Sequence, residues 1–194
     1  GYAQNGVDND FYVVRYGVTG VTFTPAVGTL DPGFSGDGKW SYDYGSGEDT
    51  ADAVAIQPEG KILAVGRVDV GGRDDVAVLR FNSDGSLDGG FGSAGLVITQ
   101  VGSLSSAGKA VAIQNDGRIV VAAGAFNGSN YDFAVLRYMP SGALDSSFGS
   151  GGIGVTPVLA GNDFPLGLAI QPNGRIIVAG RAHNGSDDDF AVVR

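Results

Sequence analysis

The chain contains no cysteine, one histidine, one tryptophan and one methionine among its 194 residues. Without cysteine there are no disulfides, thiolate metal sites or cysteine nucleophiles. A single histidine, His183, rules out multi-histidine zinc chemistry and leaves nothing local to assemble a Ser-His-Asp set. Basic side chains are scarce: 12 Lys and Arg face 21 Asp and Glu, giving a net charge of −9. Nucleic acid and anionic membrane surfaces are therefore poor partners, because both are held by clustered cations. No uninterrupted apolar run of about 18 residues is present, so no helical membrane span is expected. No basic-then-apolar leader stands at Gly1, which implies a signal peptide that is absent or already removed. Gly-rich stretches such as 149–152 lack the lysine and following helix of a phosphate loop.

What is present is repetition. AVAIQPEGKIL begins at Ala53, AVAIQNDGRIV at Ala110 and GLAIQPNGRII at Gly167, each 57 residues from the last. LDPGF, LDGGF and LDSSF keep the same step from Leu30, Leu87 and Leu144. A strand-like segment of the type DVAVLRF ends at Arg80, Arg137 and Arg194, with an earlier copy ending at Arg15. A fixed period of this size marks a stack or ring of equivalent supersecondary units. The phase divides the chain into a leading strand with a loop insertion (1–29, the insertion spanning roughly 17–24) and repeats at 30–86, 87–143 and 144–194, the last incomplete. All belong to one repeat domain.

Each unit reads as four short strands, a to d, exemplified by 96–101, 110–114, 118–123 and 132–138. With the leading segment 11–16, thirteen strands are expected. Pro58-Glu59-Gly60, Asn115-Asp116-Gly117 and Pro172-Asn173-Gly174 supply hairpin-turn chemistry between b and c. Segments such as Ile119-Val120-Val121-Ala122 show no polar alternation, so both faces of each sheet should be covered. Four-stranded units packed face to face around an axis describe an all-β, β-propeller-type fold with antiparallel blades. A β-sandwich is the alternative, but it gives no reason for so regular a register. Three blades do not close a ring, so the chain should be part of a longer array or be completed by another protomer.

AIQPEGKILAVG (55–66) followed by DDVAVLRFNSDGSLDGGFG (74–92) resembles the delta-60 repeat, a propeller-type repeat of bacterial secreted and surface proteins. The resemblance covers the chain apart from the insertion. It implies a propeller-like fold and an extracellular or cell-surface setting in bacteria. It implies no single activity and no catalytic residues.

Residues present in every unit are expected to be structural, and residues present once are candidates for function. The recurrent set is Asp10/Arg15, Asp75/Arg80, Asp132/Arg137 and Asp189/Arg194, together with Asp31, Asp88 and Asp145 of the LD motif. Each arginine is expected to fork onto a carboxylate and tie strand d to the LDxxF corner. The unrepeated feature is Trp40, Tyr42 and Tyr44, whose period-2 spacing places three rings on one strand face. That row suits packing on the next blade, a protein contact or a glycan. Acidic loops, 5–10 and 184–189, make Asp187 and Asp189 a calcium candidate. Asx-rich turns account for them without metal. Glu48, Asp49 and Asp52 are unrepeated acids that a glycoside hydrolase would need in facing pairs. The expectation is a non-enzymatic extracellular structural or adhesive repeat protein, without cofactor. It would associate with itself, with further repeats of the same chain, or with a glycan or surface protein. A binding module built on Trp40 and a carbohydrate-active enzyme are the rival classes.

Overall fold

The computed structural model describes residues 2–4, 9–16, 28–45 and 47–194. The insertion at 17–24 and most of the first acidic loop lie outside them. Among the described residues every regular element is a β-strand, and the strands fall into four successive antiparallel sheets. The first holds β1 (Tyr2–Gln4), β2 (Asn9–Val14) and β3 (Lys39–Tyr42). The second holds β4 (Thr50–Ile56), β5 (Ile62–Asp69), β6 (Asp74–Phe81) and β7 (Leu96–Thr99). The third holds β8 (Ser106–Ile113), β9 (Ile119–Phe126), β10 (Tyr131–Tyr138) and β11 (Ile153–Thr156). The fourth holds β12 (Asp163–Ile170), β13 (Ile176–His183) and β14 (Asp188–Val193). These are the blades of an open propeller, numbered one to four below. β1, paired with β2 through Tyr2↔Phe11, adds a fourteenth strand to the thirteen counted from the sequence.

The sheets do not coincide with the sequence units. Strand a of each unit pairs with strand d of the unit before it: β7 lies along β6 and β11 along β10. The order within a complete blade is therefore b, c, d and then the next unit's a. The LDxxF corner makes this possible by turning the chain back beside strand d. Asp88 N–H donates to the Arg80 carbonyl, and Gly95 N–H donates to that of Phe91.

Both faces of the middle sheet are covered, as the lack of polar alternation requires. On β9, Ile119, Val121 and Ala123 point into the core shared with blade two, while Ala122 joins the cluster shared with blade four. β4 and β12 both pack on β8, so the b strands lie innermost and the a strands form the outer edge. Each b strand carries a β-bulge at the same point, between Ala51 and Ala53, Gly108 and Ala110, and Pro165 and Gly167. The bulge brings two backbones into close approach. A Cβ on Gly66 would stand 1.8 Å from the Thr50 carbonyl oxygen, and one on Gly180 would stand 2.1 Å from that of Phe164. In blade three the glycine is on the other strand of the pair, Gly108 opposite Ala123.

Candidate functional site

The recurrent arginine is a latch between blades. Arg80 Nε lies 2.7 Å from Asp88 Oδ2, Arg137 Nε 2.9 Å from Asp145 Oδ2, and Arg15 Nε 2.8 Å from Asp31 Oδ2. The same guanidinium covers the LDxxF phenylalanine, Arg80 on Phe91 at 4.4 Å and Arg137 on Phe148 at 4.7 Å. It also crosses to the next blade: Arg80 Nη1 donates to the Pro140 carbonyl at 2.6 Å, and Arg15 Nη1 to that of Ser83. The Lys61 ammonium beside Asp88, joined by the Gly90 N–H and Arg80, overcomes burial and lowers its carboxyl to about 2. Asp145 is likewise lowered to about 2, chiefly by the Ser147 hydroxyl and backbone, with Arg118 and Arg137 adding to it. Arg194 is exposed at the end of the last blade.

The strand-d aspartates serve other partners. A separation of five on a strand puts the two side chains on opposite faces, about 17 Å apart. Asp75 is gripped by Arg73 at 2.9 and 2.8 Å, Asp132 accepts from Asn127 Nδ2 at 2.8 Å, and Asp189 accepts from Asn184 Nδ2 at 2.9 Å. Asp10 lies on β2, the corresponding strand of blade one. In the last acidic loop Asn184 Oδ1 also accepts the N–H groups of Ser186 and Asp187, while its amide holds Asp187 Oδ1 at 2.6 Å. Asp187 and Asp189 are thus committed to an Asx turn. Among the described residues no three His, Cys, Asp or Glu side chains form a metal-sized cluster.

The aromatic row faces inward. Trp40 stacks on Tyr42 (5.5 Å between ring centroids) and meets Phe81 of blade two edge-on at 4.7 Å. Trp40 and Tyr42 pack against the cluster of Phe11, Phe34, Leu79 and Phe81. Tyr44 continues the stack at 6.3 Å. Burial, and after it the neighbouring Tyr44 and Asp49 charges, pushes the Tyr42 phenol up. On the other side Ser41 and Asp43 are exposed, as the alternation requires. The three acids that follow are also committed, and one of them, Asp49, is not unrepeated after all, since blade four carries Asp163 in the same column. Asp49 is fully buried and accepts the N–H groups of Tyr44 and Asp69, Glu48 pairs with Arg67, and Asp52 pairs with Lys109. Burial is the main cause of the raised Asp49 carboxyl. His183 contacts Asp188 at 3.1 Å in the last blade.

One concave feature among several lies where blades two, three and four converge at the start of their b strands. A cleft of about 680 Å³ is lined by Asp52, Arg67, Ser106, Lys109, Tyr131 and Phe164, among others. A smaller recess continues it past Leu166 and Arg181. Asp52, Lys109 and Leu166 are the three bulged residues, so the bulge aims one non-equivalent side chain per blade towards the axis. Tyr131 sits between Phe126 and Phe164, 5.1 Å from each, and Arg181 caps Phe164 at 4.8 Å. The sequence reading missed this cleft. Its signal is present in the columns: Arg67, Gly124 and Arg181 form one, and Asp74, Tyr131 and Asp188 another. Blades two and four hold an Arg–Asp ion pair where blade three has Gly and Tyr.

Three segments of the chain, residues 57–91, 114–148 and 171–194, match the family model described as a domain of unknown function (DUF5122) beta-propeller. With the four successive sheets, this makes the chain a β-propeller repeat protein. Among curated proteins, none matches the sequence.

Proposed function

We propose that the chain is a non-enzymatic β-repeat scaffold of the delta-60 kind. It serves on the bacterial cell surface or outside the cell, and its end blades associate with further blades of the same type. The supporting observation is an unequal burial of equivalent positions. Val76 and Phe133 are 0% and 1% exposed, each covered by the following blade, whereas their counterpart Phe190 is 86% exposed. Val192 is exposed beside it. On β4 of blade two, beside blade one, which has no b strand among the described residues, Val54 and Ile56 are exposed, although their counterparts Val111 and Ile113 pack into the core between blades two and three. These two bare patches carry residues that belong to the two halves of an internal blade interface. A head-to-tail contact between copies would bury both, and such heterologous contacts propagate into rings or filaments. Native mass spectrometry and electron microscopy over rising concentration test this. Oligomers that disappear in Phe190→Glu support the reading, and a protein that remains monomeric at high micromolar concentration refutes it.

A further inference from the structure

The axial cleft has the marks of a built site. Blade three is hollowed at four aligned positions. Ser105, Ser106, Ala107 and Gly124 stand where blade two has Glu48, Asp49, Thr50 and Arg67, and blade four has Asn162, Asp163, Phe164 and Arg181. In the other blades the buried aspartate at this column accepts backbone N–H groups, as Asp49 does from Tyr44 and Asp163 from Val158. Ser106 is too short to repeat that role. It is 1% exposed, lines the cleft, and its Oγ has no hydrogen-bond partner among the described residues. A buried hydroxyl without a partner is costly, but this oxygen is itself closed off from the cleft, so Ser106 marks the hollow without being a ligand contact.

The chemistry of the walls selects the ligand class. Every cation there is already matched: Arg67 by Asp74 and Glu48, Lys109 by Asp52 at 3.4 Å, and Arg181 by Asp188. An anion gains little from such a wall, and a purely apolar ligand would strand the Lys109–Asp52 pair. A polyhydroxylated neutral ring suits it: its C–H face lies on the Tyr131–Phe164 rings while its hydroxyls exchange hydrogen bonds with paired side chains that both donate and accept. The volume lies in the range of ordinary small-molecule sites. We propose that this cleft binds a neutral saccharide, stacked on Tyr131 and Phe164 and held by Lys109 and Asp52. The site is separate from both the end-blade contact and the Trp40 row.

The test converts blade three to the pattern of its neighbours. Gly124→Arg with Tyr131→Asp recreates the ion pair of blades two and four and fills the cleft. A Cβ on Gly124 meets nothing closer than 3.7 Å, so the variant is expected to fold. Calorimetric titration with xylohexaose, cellohexaose, maltohexaose and mannohexaose, with hexagalacturonate as the anionic comparison, should show wild-type binding of at least one neutral sugar. The double variant and Tyr131→Ala should each weaken it about tenfold or more, the loss of one good contact. Phe190→Glu should leave it unchanged, which keeps this result distinct from that of the oligomer test. Absence of binding to all four neutral sugars, preference for hexagalacturonate, or undiminished binding by the double variant would overturn the proposal.

Discussion

At the scale of single residues the chain is held by a few polar groups set into apolar surroundings. Arg80 is 7% exposed and touches a carboxylate, a ring and a carbonyl of the next blade at once. Arg80→Ala should destabilise the protein by about 2–3 kcal/mol, less than a fully orphaned buried charge costs, because Lys61 still pairs with Asp88. Urea unfolding of the variant checks it. Asp88 and Asp145 have folded-state carboxyls lowered to about 2. Their contribution is complete above the ordinary aspartate range near pH 4 and is lost as pH falls towards about 2. Unfolding followed across that window should show a steep fall in wild type and a shallower one in Asp88→Asn with Asp145→Asn. The arginines and LD aspartates were legible as a recurrent set because their columns are invariant. The partners of the strand-d aspartates were less so, since Asp and Arg five residues apart on a strand look adjacent in sequence and are far apart in space.

Elements are where the sequence was most and least informative. The hairpin turns follow from local chemistry: Gly60, Gly117 and Gly174 all adopt φ of 82–84°, a conformation that the glycine shared by the three turns supplies. The turn after strand d is more demanding. Gly142 has φ 92°, and an added Cβ would come within 2.8 Å of Val97 and 3.0 Å of the Gly92 nitrogen, which donates to the Ser141 carbonyl. Gly142→Ala should therefore cost more than the about 1 kcal/mol of backbone strain alone and lower the melting temperature measurably. The identity of strand a was legible but its sheet was not. A pattern of alternating residues says that a segment is extended; it carries no mark of which neighbour it will lie against. Trp40 illustrates the consequence. As an isolated aromatic row it invites a ligand, but on β3 it closes the interface to Phe81. Trp40→Ala should cost about 2–3 kcal/mol in thermal or urea unfolding, at the low end of large-to-small core changes because the ring is only partly buried.

For the whole molecule, period and two-sided apolarity were enough to specify an open, all-β propeller. The end faces and the axial cleft were not legible, because both depend on what a neighbouring blade does or does not cover. Lys109 and Tyr131 are unremarkable in a one-dimensional pattern. Only the bulge and the hollowed middle blade bring them to one concavity.

The offset between sequence unit and sheet also governs how the chain can be recombined. A cassette excised at the LD motif carries off the strand that finishes its neighbour's sheet and leaves its own last sheet one strand short. Cutting instead between β7 and β8, within residues 100–105, yields pieces whose hydrogen-bond ladders are self-contained. Grafts designed with that reading frame should exchange blades freely, whereas those framed on the visible repeat will not.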